Sequence, residues 1–275
     1  MKKRGMNARV QALRELSVNT QPHIDMERAK SETETYKKYE GQLSIPELRA
    51  QVLYDYFSTK TLYIGDGELI VGEKGDSPHA APTFPELCCH TVEDMHVMND
   101  RELINFKVKD EDYGYQEDVI IPYWEKRSTR HRILENMTPE WKACYGAGIW
   151  TEFMEQRGPG HTVGSFKIYE KGFLDYKADI EASLAKLDFF NDPEAFAKRN
   201  QLRAMAKDCD AIMILGERYA AYARELAEKC EDPVRKEELL QIAANCDVVP
   251  AHKPQTYWQA IQMYWFVHLA VTSEL

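Results

Sequence analysis

Asp192–Cys230, DPEAFAKRNQLRAMAKDCDAIMILGERYAAYARELAEKC, is the stretch that decides the fold class. Asp192-Pro193 opens it in the manner of a helix start, and no glycine or proline interrupts it except Gly216. Leu202, Met205, Cys209, Ile212, Gly216, Tyr219, Ala223, Leu226 and Cys230 recur at alternating spacings of three and four. That seven-residue repeat lasts about four heptads, so the helix must lay a long stripe against other helices. Small Gly216 and Ala223 on the stripe permit close approach. An internal bundle helix fits this pattern better than an isolated dimerisation zipper.

Helical signals continue on both sides. Residues 7–20 read as a short amphipathic helix that Pro22 interrupts. Asp25 is placed to cap a helix running to about Tyr39, which Gly41 closes. Ser44 with Glu47 forms a capping box, with Pro46 in the first turn and Leu48, Val52 and Tyr56 along one stripe. Thr91 with Asp94 predicts another cap, and Thr138-Pro139-Glu140 another helix start. Residues 175–190 read as helix, and Asp232-Pro233 caps a helix to about Asn245. Strand signals are few. Glu68–Val71 between two glycines is a short strand candidate, 105–118 reads as polar loop, and 119–121 is undecided between strand and helix entry. The expectation is a mainly α protein with a few short strands.

The last segment, Pro254–Leu275, contains Met263-Tyr-Trp-Phe-Val-His-Leu-Ala-Val271, apolar on nearly every face. Such a helix is expected to be buried all round. Standing four residues from the last one, it suggests a piece of a larger fold. Its short length, with Gln259 and Gln262, argues against a membrane span.

The net charge of −10 argues against a nucleic-acid surface, which needs clustered Lys and Arg. The basic N-terminus has no apolar run after it, so no secretory signal is read, and a cytoplasmic location is expected. None of the six cysteines forms a CxxC pair, and reduced thiols are expected. No phosphate-loop, dinucleotide-binding, zinc-protease or serine-hydrolase motif occurs.

The glycine-rich run is Gly146–Gly172, which holds six of the fourteen glycines. At its centre Arg157-Gly-Pro-Gly-His161-Thr162 puts a proton-active ring on a backbone that cannot be regular helix. Read locally, His161 either faces a ligand or is solvated on a plain surface turn. Trp150 and Phe153, just before the turn, either floor an apolar pocket or belong to the core. Glu86, Cys88, Cys89, His90, Glu93 and His96 are a dense set of ligand-type residues without the spacing of a zinc module, so no metal site is expected. Glu73, Asp76 and His79 fit ordinary turn polarity, and His268 fits a hydrogen-bonded core histidine.

Three ordered segments carry a resemblance: Pro22-His-Ile-Asp-Met-Glu-Arg-Ala29, Asp66-Gly-Glu-Leu-Ile-Val-Gly-Glu73, and Pro250-Ala-His-Lys-Pro-Gln-Thr-Tyr-Trp-Gln-Ala-Ile-Gln262. Together they resemble the N-terminal part of the glycyl radical enzymes, the pyruvate formate-lyase superfamily. GEKGDSPHAAPTFPELCCHT, NMTPEW, TEFMEQRGPGHTV and CDVVPAHKP look most like its trans-4-hydroxy-L-proline dehydratase branch, while Gly164-Ser165-Phe166 departs from it.

The resemblance implies that residues 1–275 are the N-terminal part of a ten-stranded α/β barrel wrapped by helices. It implies a lyase that removes water through a thiyl radical. A glycyl radical would be installed by a partner activase using S-adenosylmethionine and an iron–sulfur cluster. No bound cofactor is expected on this part, and a homodimer is implied for the whole enzyme. By the same resemblance His161 and Phe153 line the pocket of a small, hydroxyproline-like substrate. The superfamily's radical cysteine is followed by Val-Glu, and none of the six cysteines here is. Its Arg-Val-x-Gly-Tyr loop is also not found, so no catalytic residue is expected within this chain and no turnover from it alone. The alternatives are another member of the superfamily (glycerol or propanediol dehydratase, choline trimethylamine-lyase, formate acetyltransferase) or a non-catalytic helical interaction protein.

Overall fold

The computed structural model describes residues 7–149 and 163–274. The chain begins with α1 (Ala8–Asn19), capped by the Asn7 side chain, which accepts from Val10 N at 2.9 Å. No residue of α1 is buried. It is held from outside by the Arg9–Glu238 ion pair and by Ser17, whose hydroxyl lies 3.3 Å from His79.

β1 (His23–Asp25) leads into α2 (Glu27–Tyr39), where Asp25 Oδ1 accepts from Glu27 N at 2.8 Å. α3 (Ile45–Thr59) starts at the expected Ser44–Glu47 box and buries Leu48, Val52 and Tyr56. β2 (Ala80–Pro82) pairs with β1 in parallel, Ile24 opposite Ala81. This two-stranded sheet was not legible, because each strand is three residues long and β2 contains a proline.

Two readings are corrected in this half. Residues 68–71 are not a strand. Their backbone groups go to side chains of the last helix instead. Gln262 accepts from Val71 N at 2.9 Å and donates to Val71 O at 2.8 Å, while Trp258 and Trp265 donate to Leu69 O and Gly72 O. An amide side chain carries both N–H donors and a carbonyl acceptor, so it completes an extended residue as a neighbouring strand would. Residues 105–118 are not all loop. After α4 (Val92–Asp100), with its Thr91–Asp94 box, come α5 (Asp110–Tyr115), a π turn at Gln116–Ile120, and α6 (Ile121–Trp124). Its polar run hides two buried residues with distant partners. Asp112 accepts from Lys30 at 2.8 Å and Gln116 donates to His90 O at 2.6 Å.

α7 (Thr129–Asn136) and α8 (Pro139–Gly146) precede the glycine-rich run; Thr138 caps α8 through Trp141 N. After it come α9 (Lys167–Glu170), α10 (Phe173–Leu184), α11 (Ala195–Lys229), α12 (Pro233–Val248) and α13 (Tyr257–Glu274). α10 ends earlier than read, because Asp188 takes the N–H groups of Phe190 and Asn191 into a turn.

α11 packs against α3, α10 and α12, and its stripe is buried from Cys209 to Ala223. Leu215, Tyr219 and Phe266 are among the largest fully buried side chains, each contributing roughly 1.5–3 kcal/mol of burial. A smaller core gathers Ile24, Met26, Ala29, Met95, Ile120 and Trp124. α13 is not buried all round: Tyr257 is 82 % and Tyr264 is 40 % exposed, while Met263, Phe266 and Leu269 are buried. No helix of the described residues is long and apolar enough to cross a membrane.

The turn at 249–252 is gripped from two sides. Its carbonyls at Pro250 and Ala251 accept from Phe173 N (3.0 Å) and Leu174 N (3.1 Å), satisfying the first N–H groups of α10. A Cβ on Gly172 would stand 2.2 Å from Ala251 O, and one on Gly216 would stand 2.5 Å from Pro250 Cδ. Gly172→Ala should therefore lower stability by about 1–3 kcal/mol in urea denaturation, as overpacking against backbone does. Gly114→Ala, where nothing lies within 4 Å of the added Cβ, should be neutral or gain up to about 1 kcal/mol. Equal effects of the two would show that the turn is not held this way.

Candidate functional site

His161 and Phe153 lie outside the described residues. The structure does describe the chain on each side of them. Upstream, α8 ends at Gly146 and Gly148 has φ +71°. Downstream, Gly164 (φ +82°) and Ser165 (φ +57°) turn the chain into α9, whose Ile168 is buried. Val163, directly after His161-Thr162, packs on the main core. Gly172 then clamps the segment onto the 249–252 turn.

This exit flanks a cavity of about 510 Å³ between α10, α11 and α13. Val163, Ile168, Phe173, Ile180, Ile212 and Val267 give it apolar walls. Proton-bearing groups line it as well, among them Lys167, Tyr176, Asp179, Asp208 and Cys209. Burial, with Glu274 adding to it, pushes the Asp208 carboxyl up to about 7. Burial pushes the Cys209 thiol up to about 12. Cys89 and Cys246 are raised in the same way, to about 11 and about 12. These three thiols stay protonated near neutrality, which is the opposite of an activated nucleophile. The cavity as described can hold apolar groups and carry one proton on Asp208.

The dense run of ligand-type residues is dispersed. Glu86 turns inward to Arg28, His96 stacks on Tyr113 with centroids 4.3 Å apart, and His90 faces Asp94 at 3.9 Å. Among the described residues, no three His, Cys, Asp or Glu side chains converge as a metal site would require. His268 is not deep in the core; it is half-buried and stacks on Trp265 and Tyr264.

Glu86 belongs to a buried charge cluster. Arg28 donates to Glu32 at 2.7 Å, to Glu86 at 2.7 and 3.2 Å, and through Nε to the Ser273 carbonyl at 2.6 Å. Its guanidinium lies 4.0 Å over the Phe84 ring. Burial disfavours the Arg28 charge, but Glu32 and Glu86 outweigh it and raise its pKa. Burial raises the Glu32 carboxyl well above its ordinary range. Burial also acts on Glu86, but Arg28 outweighs it and Glu86 ends below its usual value. Beside them Arg49 pairs with Glu274 at the end of α13.

The loop 72–79 is fastened with equal density. Buried Lys60 donates to Glu73 O at 2.6 Å and Gly75 O at 3.1 Å, and burial lowers its pKa to about 8. Tyr56 donates to Lys74 O, and Asp25 accepts from Asp76 N. The Asp76 carboxylate meets His23 at 2.7 Å and Lys109 at 3.2 Å. Asp76 is thus a fastening group rather than ordinary turn polarity. Sequence reading missed Lys60 and Asp208, which stand singly among polar neighbours. It also missed Arg28, although the i,i+4 spacing of Arg28 and Glu32 was a signal.

The chain matches the family described as pyruvate formate lyase-like over residues 3–275. It is 59 % identical over 272 residues to the trans-4-hydroxy-L-proline dehydratase of Clostridioides difficile, covering 99 % of this chain and 34 % of that protein. The crystal structure of hydroxyproline dehydratase from that organism, with substrate trans-4-hydroxy-L-proline bound, superposes with a TM-score of 0.93. That match covers 98 % of this chain and 34 % of that one. An isethionate sulfite-lyase of Nitratidesulfovibrio vulgaris is 32 % identical over 280 residues, covering 97 % of this chain and 33 % of its own length. The chain therefore spans about a third of the length of these relatives.

Two outcomes test the electrostatics. Arg28→Met strands Glu32 and Glu86 together in the core and should cost about 3–5 kcal/mol in denaturant unfolding. Adding Glu32→Leu and Glu86→Leu should recover most of that loss. The second concerns Glu73, which burial, with Glu68 adding, raises from 4.5 to about 7. A carboxyl raised on folding stabilises fully below its unfolded pKa, and that share is lost as pH rises through about 7. Glu73→Gln should flatten the stability–pH curve between pH 4 and 8 by about 1 kcal/mol, a value reduced for its partial exposure. An unchanged slope in thermal melts across that range would rule the shift out.

Proposed function

The chain belongs to the pyruvate formate lyase-like family, and on that premise we propose that it is the N-terminal part of a glycyl radical dehydratase acting on trans-4-hydroxy-L-proline or a close analogue. One observation carries the reading: 59 % identity to the Clostridioides difficile dehydratase over 99 % of this chain, against 32 % to a sulfite-lyase of the same family. In this reading residues 1–275 form part of a ten-stranded α/β barrel. The cysteine loop and the glycyl radical loop belong to the two thirds of the relatives that this chain does not match. The whole enzyme is cytoplasmic and homodimeric, and its activase uses S-adenosylmethionine and an iron–sulfur cluster.

When present, the glycyl radical supplies a thiyl that takes a hydrogen atom from the substrate before water leaves. This chain contributes walls and a proton carrier. His161, on the Gly-Pro-Gly turn, donates to the substrate carboxylate or passes a proton to the departing hydroxyl; an imidazole can do either near neutral pH. Phe153 closes the pocket beside the pyrrolidine ring. The described flanks suit that task, because Val163 and Gly172 anchor the downstream end of the turn to the core.

The test joins this chain to the part of the Clostridioides difficile enzyme that it does not match, with anaerobic activation by the activase. The chimera should show a glycyl signal by electron paramagnetic resonance and consume trans-4-hydroxy-L-proline. The 275-residue chain alone should do neither. In the chimera His161→Ala should lower kcat/KM by about 10²-fold or more. Phe153→Ala should raise KM about tenfold, equivalent to about 1.4 kcal/mol of lost contact. A chimera with the radical signal but no turnover of hydroxyproline would overturn the substrate assignment.

A further inference from the structure

Loop 72–79 is joined to the end of α3 through Lys60. Arg218 of α11 donates to the carbonyls of Phe57 and Lys60 at 2.6 and 2.8 Å, and Glu27 of α2 accepts from Thr61 N at 2.8 Å. The backbone on both sides of Lys60 is therefore fixed. From this mount the Lys60 side chain, 2 % exposed, runs to the loop, where Nζ donates to Glu73 O at 2.6 Å and to Gly75 O at 3.1 Å. Tyr56, one turn earlier, donates to Lys74 O between them at 2.8 Å. Three consecutive carbonyls of an irregular loop take their bonds from one end of one helix.

Both acceptors of the Lys60 amine are uncharged. Among the described residues no carboxylate lies within ion-pair distance of it. Asp25 of β1, Glu27 of α2 and Glu73 of the loop act on it through space, against Arg218. Asp25 is bonded to the N–H groups of Glu27 and Asp76, and Glu27 to Thr61. In the α2–α3 cleft that Lys60 also lines, Lys30 pairs with Asp112, and Asp55 accepts from Thr35 and Gln51. A buried ammonium bonded only to carbonyls gives up hydration without gaining an ion pair. A neutral amine keeps two N–H groups, as many as the two carbonyls require.

We propose that Lys60 is a pin for loop 72–79 that works through its N–H groups and not through its charge, so that the loop closes more firmly when the amine gives up its proton. Burial lowers Lys60 from 10.5 to about 8 in the closed loop. Opening the loop to water returns the amine towards its ordinary value. The closed loop therefore binds fewer protons than the open one across that window, and closure strengthens as pH rises through it. Glu73 acts in the opposite sense at lower pH. Its carboxyl is raised from 4.5 to about 7, so closure weakens as pH rises over that range. The loop is thus held least firmly between about 7 and 8, where the Lys60 ammonium and the Glu73 carboxylate are both charged. Burial pushes the hydroxyls of Tyr56 and Tyr219, which also bond the loop, above their ordinary range, so neither ionises in that window. None of this depends on hydroxyproline as substrate.

The test is native-state cleavage after Lys74 by a lysine-specific protease, read by mass spectrometry on the 275-residue chain. At each pH the rate is divided by that for a peptide of residues 68–80, so that it tracks the population of the open loop. From pH 7.5 to pH 10 the normalised rate should fall about tenfold or more, as a shift of this size in a pinning group requires. Lys60→Gln keeps N–H donors and cannot titrate, so its rate should stay flat over the same range. Lys60→Met leaves Glu73 O and Gly75 O without this donor and should be cut about tenfold faster than wild type at pH 10. A wild-type rate that rises with pH shows that the charge holds the loop and overturns the proposal. So does a Lys60→Gln chain that keeps the wild-type fall, because another group then titrates, and so does a Lys60→Met chain cut no faster than wild type at pH 10. Cleavage that follows loss of helix signal in circular dichroism also overturns it, since the loop then opens only with the whole fold. Should Lys60→Met fail to fold, the wild-type and Lys60→Gln profiles decide.

Discussion

The guanidinium of Arg28 is the constraint on which the rest of this structure turns. It reaches Glu32 on its own helix, Glu86 at the end of the 83–86 loop, and the carbonyl of Ser273, 245 residues away. An arginine cannot shed its charge, so burying it requires carboxylates at hydrogen-bond distance. Two carboxylates give one negative charge too many. Within the cluster burial raises Glu32, while Arg28 outweighs burial and lowers Glu86. The result fixes the β1–α2 corner, the 83–86 loop and the end of α13 relative to one another, since moving any one strands a charge.

A second seam follows from α13. Trp258, Gln262 and Trp265 occupy successive turns of that helix and each serves a backbone group between Leu69 and Gly72. The next residues are held by Tyr219, Tyr56, Lys60, Asp25 and His23. Loop 72–79 has no regular structure, yet its backbone is bound at nearly every step. Its order comes from side chains of β1, α3, α11 and α13 and from Lys60 at the end of α3, which is how a scaffold holds irregular backbone rigid next to a site. The same helix therefore does two jobs: its inner face orders the loop, and the edge at Val267 and Val271 lines the cavity between α10, α11 and α13.

Residues 192–230 were enough to establish a helical protein organised around one long helix. A three-four spacing can be satisfied only by a buried helical stripe, and the structure buries it from Cys209 to Ala223. The caps at Ser44, Thr91, Thr138 and Asp232 were legible for the same reason: a capping side chain bonds to a backbone group two or three residues on. His161 and Phe153 were reached only through the resemblance, because the local turn chemistry fits a solvated histidine equally well. What the tertiary structure decided was everything whose partner is remote. It turned 68–71 into a loop served by Gln262, made helix of much of the polar run at 105–118, opened one side of α13, and showed Arg28, Lys60 and Asp208 to be the electrostatically consequential residues. Charge burial and side-chain-to-backbone bonding act through space at a few ångströms, so residues 58 to 245 positions apart in sequence carry no local mark of the contact they will make.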